Sequence, residues 1–593
     1  MRSGQSRTAG AARSVAGRWS AGIRAAAGLI FLNALLNADH LAGGFAWSRL
    51  LQPSPELLGM AAVMGALARG GKRFHPLLQA LLAGLILFLS LFQAADALMS
   101  AIFYRPLNLA MDPLRLPDLL LLGRVLLSPG RFALTLAGAL FFVATAGWGA
   151  WRALGALHAF LTALALPAAT KRLAAAAILL SILGAVQQNA PVVSASPLPR
   201  LVEEVRFLLD LDGVRRADLA AIADARDRAS ALPADLGRLG RASVLLFVVE
   251  SYGRTVFSHP DHAARILPTI EAAEAELGAA GFRMCSSFLD SPTSGGGSWL
   301  AHATLSSGLR VETQIRHDLM LASDLTPLAE FFNRAGYRTL RAMPGTLWPW
   351  PAGEFYRYRQ TLTAPDFGYR GPRFGFAPMP DQFVLDWVWR NAIEGEARPL
   401  FVEFILVSSH TGFEVHAPYV ADWREIGDGS LFQSLRPLVL PGAWREPGRL
   451  SEAYGTAIVY EWTVLREFIK RHILTDELVV ILGDHQPPGP AAGGDRSTSV
   501  PLHVISRNAE SIARFAERGC RPGLVPDQPL PHRGMEAFFG DFLEDFSRTG
   551  HDRQEDGRPG AGEEKTRAGR VIGVEIELTR SVKSPLPLCA KEG

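Results

Sequence analysis

The sequence is poor in cysteine, with only Cys285, Cys520 and Cys589 among its 593 residues, and it contains no CxxC pair. This scarcity excludes a zinc knuckle and a small domain framed by several disulfides. A disulfide between Cys285 and Cys520 is possible if this part of the chain is exported, and the sequence alone does not decide whether it forms.

An excess of charge of one sign is also absent, because 60 Lys and Arg balance 57 Asp and Glu to a formal net charge of +3. Proteins that bind nucleic acids neutralise many phosphates with basic side chains, so this composition gives no reason to expect nucleic acid as a partner. The composition likewise excludes a collagen-like or wholly disordered chain, and the length allows several domains.

Charged residues are missing from two long stretches of the N-terminal part, 77–95 and 132–151. About 20 consecutive apolar residues are enough to cross a bilayer as a helix, so both stretches are predicted to span a membrane. A third apolar run, 173–186, is predicted to do the same. The shorter runs 25–38 and 57–68 are two more candidate spans, with re-entrant or interfacial helices as the alternative.

The basic residues orient these spans. Five arginines precede Asp39, the first acidic residue, so the positive-inside rule places the N-terminus in the cytoplasm. With five crossings, the basic clusters near 69–73 and 152–172 fall in cytoplasmic loops and everything after residue 190 is extracytoplasmic. Four arginines between residues 101 and 131 lie outside on this count and do not fit the rule. A cleaved signal peptide is the competing interpretation of the first run.

From about residue 241 short apolar runs alternate with amphipathic stretches, which predicts an α/β domain with a largely parallel sheet. The clearest strands are 242–249, 399–407 and 477–483. They end in the polar segments ESYG, SSH and DH. Because ligands bind beyond the carboxyl ends of the strands in open α/β sheets, we expect these segments to converge at one edge.

A fourth strand is predicted to run into a glycine turn, Gly295 to Gly297, followed by a helix that begins at Ser298. Glycines remove side chains where the backbone approaches a ligand closely, and a helix start offers N–H groups and a positive dipole end. A hydroxyl there is well placed to attack a phosphate. The alternative is that Ser298 simply caps the helix.

The polar ends form a set with metal-binding chemistry. A carboxylate at Glu250, a hydroxyl at Ser298 and the pair Asp484 and His485 suit Mn²⁺, Zn²⁺ or Mg²⁺. A metal bound to the hydroxyl would make it an alkoxide near neutral pH and neutralise charge on a phosphoryl group. The pattern predicts covalent phosphoryl transfer.

The segments VVESYG, TSGGGSW, VSSHTGF and ILGDHQPP, in this order, resemble the sulfatase-like branch of the alkaline phosphatase superfamily. The resemblance covers about residues 241–545 and is greatest to membrane-anchored lipoteichoic acid synthases and phosphoethanolamine or phosphoglycerol transferases. It implies five transmembrane helices followed by an extracytoplasmic α/β domain, with helices on both faces of a mostly parallel sheet.

Residue by residue, the resemblance implies that Glu250, Asp484 and His485 bind a single divalent metal ion together with the nucleophile. His410 resembles the histidine that contacts the phosphate or head group of the substrate. Two residues match the nucleophile: Ser298, which directly follows the glycines and is preferred, and Thr293 as the alternative.

The chain departs from true sulfatases, because Trp-Leu-Ala-His follows Ser298 where their C/S-x-P-x-R signature requires proline and arginine. Sulfate-ester hydrolysis is therefore disfavoured. Ligands for a second metal have no clear match, and four further histidines are expected to be structural: His302, His317, His416 and His503.

The loop 343–360 is rich in Trp, Tyr and Arg. Trp348, Trp350 and Arg357 are candidates for holding a head group by stacking and by an Arg–phosphate contact. An aromatic loop that merely fills a gap is the alternative.

The sequence thus predicts a multi-pass protein of the bacterial inner membrane whose periplasmic domain transfers a phosphoglycerol- or phosphoethanolamine-type group. The donor would be a phospholipid and the acceptor an envelope glycan or lipid. The alternatives are a phosphodiesterase or phosphatase of the same fold and an inactive lipid-binding relative. The expected segments are a cytoplasmic leader (1–24), a transmembrane domain (25–190), a linker (191–240), a catalytic domain (241–547) and a flexible tail with one docked strand (548–593).

Overall fold

A computed structural model describes residues 3–37, 52–67, 75–117, 127–163, 196–526 and 533–548, and also residues 120, 123, 124 and 194. The predicted span 173–186 and the strand expected in the tail lie outside these residues. The chain divides into two compact units, Met1–Ser547 and Arg548–Gly593, and the second is described only at its first residue.

Four helices occupy the described part of the N-terminal region: α1 (Ser3–Leu35), α2 (Pro55–Leu67), α3 (Pro76–Phe103) and α4 (Pro129–Ala163). By length and composition alone, two segments could cross a membrane, Pro76–Phe103 and Pro129–Thr162, and a shorter apolar helix covers Trp19–Leu35. The two long segments contain the two clearest predicted spans. Buried apolar side chains of all four helices pack in one cluster, which includes Leu32, Leu57, Ile86 and Leu154.

The predicted linker is largely helical, with α5 at Leu198–Leu209 and α6 at Leu211–Ala231. Helix α5 is tied to the chain that follows α3, because Glu204 pairs with Arg200 and accepts a hydrogen bond of 2.7 Å from the Leu109 N–H. These contacts connect the N-terminal helices to the rest of the unit.

An eight-stranded sheet forms the centre of the C-terminal part, in the order β10-β2-β9-β8-β1-β5-β3-β4. Its strands are β1 (Val244–Val249), β2 (Arg283–Asp290), β3 (Arg338–Met343), β4 (Gln360–Thr363), β5 (Leu400–Leu406), β8 (Leu478–Gly483), β9 (Ser499–Ser506) and β10 (Arg521–Pro522). A separate two-stranded sheet consists of β6 (Val415–His416) and β7 (Leu438–Val439). From β8 to β4 all neighbours are parallel, whereas β9, β2 and β10 pair antiparallel, so the predicted α/β class with a mostly parallel sheet is confirmed.

Helices cover both faces of this sheet. The helices of the C-terminal part are α7 (Thr255–Ser258), α8 (Pro260–Ala279), α9 (Ser298–Ser307), α10 (Gln314–Leu321), α11 (Leu328–Arg334), α12 (Gly353–Tyr356), α13 (Asp381–Val388), α14 (Pro447–His472), α15 (Ala509–Glu517) and α16 (Ala537–Phe546). A π-helical turn at Trp389–Ile393 follows α13, and short 3₁₀ turns lie at Asp112–Arg115, Gly237–Leu239, Ala364–Phe367, Trp423–Glu425, Ser430–Gln433 and Ala443–Arg445.

The central strand β1 explains the continuous apolar runs of the sequence. Leu245 and Phe247 pack with α8 and α14 on one face, and Leu246 and Val248 pack with α11 and α16 on the other. Since both faces are covered, all six residues of β1 are buried, as expected for a parallel sheet between two helical layers.

A disulfide joins Cys285 of β2 to Cys520, with Cα atoms 5.5 Å apart. It lies at the antiparallel edge of the sheet, because Cys285 is also paired with Pro522 of β10. The pairing that the sequence left open is therefore formed in the structure.

Candidate active site

The two central parallel strands bring the acidic residues together. In the register of β1 and β8, Val249 lies opposite Gly483. Because the pairing is parallel, the next residue of each strand, Glu250 and Asp484, leaves the sheet at the same edge. The strand ends therefore converge as the sequence predicted.

Backbone groups fix the Asp484 carboxylate. Its Oδ1 accepts hydrogen bonds from the N–H groups of Ser251, at 2.8 Å, and His485, at 2.7 Å. The last position of β8 requires glycine, because a Cβ at Gly483 would lie 1.7 Å from the carbonyl oxygen of Tyr252. Asp484 is thus held in place before any ligand binds.

The neighbouring histidine has a defined ring orientation. His485 Nδ1 lies 2.7 Å from the carbonyl oxygen of Gln486, which can only accept, so Nδ1 carries the hydrogen. In the neutral ring this leaves a lone pair on Nε2, which lies 3.4 Å from Glu250 Oε1 and 3.5 Å from Asp484 Oδ2. A backbone carbonyl bonded to the other ring nitrogen is the usual support of a metal-binding histidine.

Ser298 is the first residue of α9, and Gly297 takes the N-cap position in the left-handed region with φ 81°. The serine therefore does not serve as the helix cap. Its Oγ lies 3.0 Å from Glu250 Oε2 and 3.1 Å from His485 Nε2. The hydroxyl thus contacts two of the three candidate ligands at the start of a helix.

Thr293, the alternative nucleophile, has a different environment. Its hydroxyl donates to the carbonyl oxygen of Gly296 and so closes the glycine turn. No described contact joins Thr293 to the carboxylates or to His485. Of the two candidate nucleophiles, Ser298 is therefore the one that contacts the candidate ligands.

The residues present fit a divalent metal ion. Glu250, Asp484 and His485 are all buried, and one ligand atom from each lies within 4.8 Å of the others. Burial raises the pKa of Asp484, and the nearby Glu250 raises it further. Burial also acts to raise the pKa of Glu250, but His410, His485 and two serine hydroxyls outweigh it and hold this pKa at about 2. Two buried carboxylates with an imidazole are a donor set that Zn²⁺ and Mn²⁺ accept.

His410 follows β5 and lies beside the same set. Its ring stacks on Phe376 with the centroids 3.5 Å apart, and its Nδ1 lies 3.1 Å from the Thr411 carbonyl oxygen. Burial lowers the pKa of His410, although the Glu250 carboxylate acts in the opposite direction. A largely neutral imidazole is therefore available next to Glu250 near neutral pH.

A buried arginine that sequence reasoning missed lies behind the site. Arg341 of β3 has its Nε 2.8 Å from Glu403 Oε2, and the two residues are partners in the parallel register of β3 and β5. Its Nη2 lies 3.3 Å from Nδ1 of His302, which follows Ser298 by about one turn of α9. The available signal was a glutamate inside the apolar run of β5, together with an arginine in the middle of β3.

His302, expected to be structural, also belongs to this environment. Burial and the Arg341 guanidinium lower its pKa to about 3, and Glu250 and His485 are near enough to act on it electrostatically. The neutral ring therefore connects Arg341 to the helix that carries Ser298.

Part of the aromatic loop 343–360 packs against the buried Arg341, and the head-group role of this loop stays a prediction. The Arg341 guanidinium lies over the rings of Trp350 and Tyr356, 5.0 and 4.4 Å from their centroids. Trp350 is therefore engaged inside the protein, whereas Trp348 is 42% exposed. Arg357 is exposed, and within the described part of the chain no contact joins it to the carboxylates. Its carbonyl accepts a hydrogen bond from Asn333.

The other histidines lie in structural positions. His503 of β9 bonds through its two ring nitrogens to Tyr252, at 2.9 Å, and Ser286, at 2.7 Å. His416 is buried in β6, and His317 lies beside Gln314 in α10.

Comparison with known proteins gives no matching family model and no matching curated protein. Several solved structures are similar to this chain. One is the lipoteichoic acid synthase LtaP from Listeria monocytogenes, which is 13% identical; the match covers 52% of this chain and 73% of LtaP, with a TM-score of 0.33. The phosphoglycerol transferase GacH from Streptococcus pyogenes is also 13% identical; the match covers 56% of this chain and 91% of GacH, with a TM-score of 0.32. The C-terminal periplasmic domain of EptC from Escherichia coli is 13% identical as well; the match covers 52% of this chain and 80% of that domain, with a TM-score of 0.34. These are kinds of protein that the ordered motifs resemble.

Proposed function

We propose that this protein is a membrane-anchored, metal-dependent transferase that moves a phosphoglycerol- or phosphoethanolamine-type group from a phospholipid to an envelope acceptor. The observation that carries the proposal is the position of Ser298 Oγ, within 3.1 Å of both Glu250 and His485. A hydroxyl bonded to two buried candidate ligands at a helix start is arranged for covalent phosphoryl transfer.

Glu250, Asp484, His485 and the Ser298 oxygen would hold the metal ion. When bound, such an ion supplies positive charge that lowers the pKa of the hydroxyl and offsets negative charge on the phosphoryl group. The backbone N–H groups of Ser251 and His485 donate to the Asp484 carboxylate and keep it in place. The hydrogen bond from His485 to Gln486 keeps the imidazole lone pair directed at the same point.

The reaction takes place in two balanced steps at Ser298. In the first, the Ser298 oxygen loses its proton and bonds to phosphorus, the bond from phosphorus to the diacylglycerol oxygen breaks, and that oxygen takes up a proton. In the second, a hydroxyl of the acceptor loses its proton and its oxygen bonds to phosphorus, the bond from phosphorus to the Ser298 oxygen breaks, and the serine oxygen regains a proton. N–H groups at the start of α9 would bind the phosphate oxygens, with His410 contacting the phosphate or head group.

The end of α3 supports the proposed membrane topology. In the five-span count the third span ends outside the cytoplasm, and the Gly489 N–H of the catalytic domain donates to the carbonyl oxygen of Ile102 at the end of this helix. The arginines that did not fit the positive-inside rule include Arg105, which pairs with Asp112, and Arg115, which hydrogen-bonds to Gln314. Local partners of this kind support an extracytoplasmic position, in the periplasm of a bacterium, for this segment.

The test uses the full-length protein in nanodiscs of phosphatidylglycerol and phosphatidylethanolamine. We expect intact mass measurement to show an adduct on the wild type and on Thr293→Ala, with release of diacylglycerol. Ser298→Ala should show neither. An adduct that persists in Ser298→Ala would reject this nucleophile.

The same experiment separates the alternatives. If the transferred group appears free in solution and no added acceptor captures it, water is the acceptor and the protein is a hydrolase of the same fold. If the wild type forms no adduct, releases no diacylglycerol and binds no metal, the lipid-binding alternative replaces the enzyme.

A further inference from the structure

Three glycines next to the candidate active site lie against the end of helix α3. We call Gly295, Gly296 and Gly489 the glycine seat, and residues 101–103 the span end. A Cβ at Gly295 would lie 2.2 Å from the Ile102 carbonyl oxygen, and one at Gly296 would lie 2.7 Å from the Phe103 ring. The sequence suggested that the glycine turn approaches a ligand, whereas the structure shows these two glycines approaching the span end.

The third glycine has the same neighbour. A Cβ at Gly489 would lie 2.0 Å from the Ala101 carbonyl oxygen. The Gly489 N–H donates to the Ile102 carbonyl oxygen at 2.9 Å, and its own carbonyl accepts from the Tyr104 hydroxyl at 3.1 Å. The last carbonyls of a helix have no partner within the helix, so the catalytic domain satisfies one of them here.

The glycine seat belongs to both loops that build the site. Gly295 and Gly296 lie just before Ser298, and Gly489 follows Asp484 and His485 in the chain. The two loops are also bonded to each other, because the Gly295 N–H donates to the Gln486 carbonyl oxygen at 2.9 Å. The span end therefore packs on the pair of loops as a unit.

A second contact holds the other side of the nucleophile. The Arg115 guanidinium lies 4.8 Å from the ring centroid of Trp299, the residue after Ser298. The indole N–H of Trp299 donates to Gln314 Oε1 at 3.0 Å, and Arg115 bonds to the same oxygen. The span end and the segment that follows α3 thus contact the chain on opposite sides of Ser298 in sequence, at Gly295 and Gly296 and at Trp299.

We propose that the span end is a positioning element of the catalytic centre: by filling the glycine seat it holds the Ser298 loop against the loop that carries Asp484 and His485. The inference rests on the proposed function. Glycine-rich loops have many accessible conformations, and a displacement of about 1 Å at reacting groups costs on the order of 100-fold in rate. The membrane anchor therefore sets the turnover of the site as well as its location.

The test uses the full-length protein in detergent micelles with bis(p-nitrophenyl) phosphate, a small soluble phosphodiester that does not depend on a bilayer. Gly489→Ala places a methyl group against the Ala101 carbonyl, and Gly489 has no left-handed φ that would strain an alanine. We expect kcat to fall roughly 10- to 100-fold while KM stays within about 2-fold. Metal content and thermal midpoint should match the wild type. The control is Gly278→Ala, because a Cβ there meets no atom within 4 Å.

A second pair of variants tests the other partner. Phe103→Ala removes the ring that lies over Gly296, and Leu98→Ala is its control on the same helix, where the side chain is 51% exposed. We expect the kcat loss in Phe103→Ala only, with partial recovery in Phe103→Leu, which restores apolar bulk.

The outcomes distinguish this inference from the proposed function. A wild type that neither binds metal nor cleaves the phosphodiester rejects the function itself. An active wild type with Gly489→Ala and Phe103→Ala as fast as their controls overturns the positioning role alone. A loss of activity that follows an equal loss of metal or of thermal stability also overturns it, because the contact would then serve stability.

Discussion

Two pairs of buried carboxylates lie near strand ends of this sheet, Glu250 with Asp484 and Asp381 with Glu461, and they differ in how their charge is compensated. In both pairs the aspartate accepts two backbone N–H groups. The first pair has an imidazole Nε2 within 3.5 Å, that of His485. In the second pair, burial and the neighbouring Asp381 raise the pKa of Glu461 well above its ordinary value. One carboxyl of each pair, Asp484 or Glu461, thus has a raised pKa, and the first pair differs from the second in the imidazole and the hydroxyl that lie beside it.

The charge of a further buried carboxylate, Glu403, is compensated in another way, by an ion pair with the guanidinium of Arg341. Burial of an acid is common to all three cases and therefore does not identify a metal site. The distinguishing features are the lone pair of His485 and the hydroxyl of Ser298, which lie on the first pair.

The largest effect is expected when the first pair is broken. Asp484→Asn removes one of the three candidate ligands, so we expect loss of bound metal and a fall in phosphodiester turnover on the order of 10³-fold or more. Elemental analysis of the purified protein and steady-state kinetics measure these quantities. Glu461→Gln is the matched control, and it should keep its metal. Equal metal content in both variants would contradict the comparison.

The next effect concerns the carboxylate that is paired with an arginine. Arg341→Met leaves Glu403 buried without its partner, which typically costs about 3–5 kcal/mol of unfolding free energy. Denaturant unfolding measures the loss, and the double variant Arg341→Met with Glu403→Leu should recover much of it. If the double variant is as unstable as the single one, the uncompensated charge is not the cause.

The raised pKa of Glu461 predicts a pH dependence of stability. Because the pKa of Glu461 is raised in the folded state above the ordinary 4.5, its contribution to stability is complete below about pH 4.5 and is lost as the pH rises through the folded-state pKa. The thermal midpoint of the wild type should therefore fall as the pH rises above about 4.5. Glu461→Gln, which stays neutral, should flatten this fall, whereas the exposed control Glu394→Gln should not. A slope that Glu461→Gln leaves unchanged would place the titration elsewhere.

The smallest effects are expected from substitution of two adjacent serines, Ser408 and Ser409. Each of them forms a hydrogen bond with the backbone of one carboxylate pair. Ser409 Oγ donates to the Glu250 carbonyl oxygen at 2.6 Å, and Ser408 Oγ accepts from the Asp381 N–H at 3.0 Å. Each alanine variant should lose about 1 kcal/mol of unfolding free energy. Only Ser409→Ala should also lower kcat, by roughly a few-fold, since it alone touches the backbone of a candidate ligand. The reverse pattern of kcat would contradict the assignment.

Much of this arrangement could be predicted because it depends on strand ends. The apolar runs before Glu250, His410 and Asp484 are long enough to be recognised as buried strands, and parallel strands deliver the residues that follow them to one edge. Ser298 could be predicted for a related reason, because three glycines mark the turn before a helix.

The remaining features depend on distant pairings that no local pattern contains. Arg341 and Glu403 meet only because β3 and β5 pair in one particular register. Asp381 and Glu461 come from two different helices, α13 and α14. The glycines indicated a close approach of the backbone but not its partner, the span end at Ile102 and Phe103.

The position of β2 in the sheet also sets the order in which the site can be completed. Its strand partners are β9 and β10, so Ser286 bonds to His503, 217 residues further along the chain, and the Cys285–Cys520 disulfide spans 235 residues. A ribosome makes β2 and the Ser298 loop long before it makes these partners, and contacts of such long range form late. Ser298, the proposed nucleophile, is therefore expected to be among the last groups to be fixed. We expect a chain that ends before β9 not to complete the centre, even though it already contains Glu250, Ser298, Asp484 and His485.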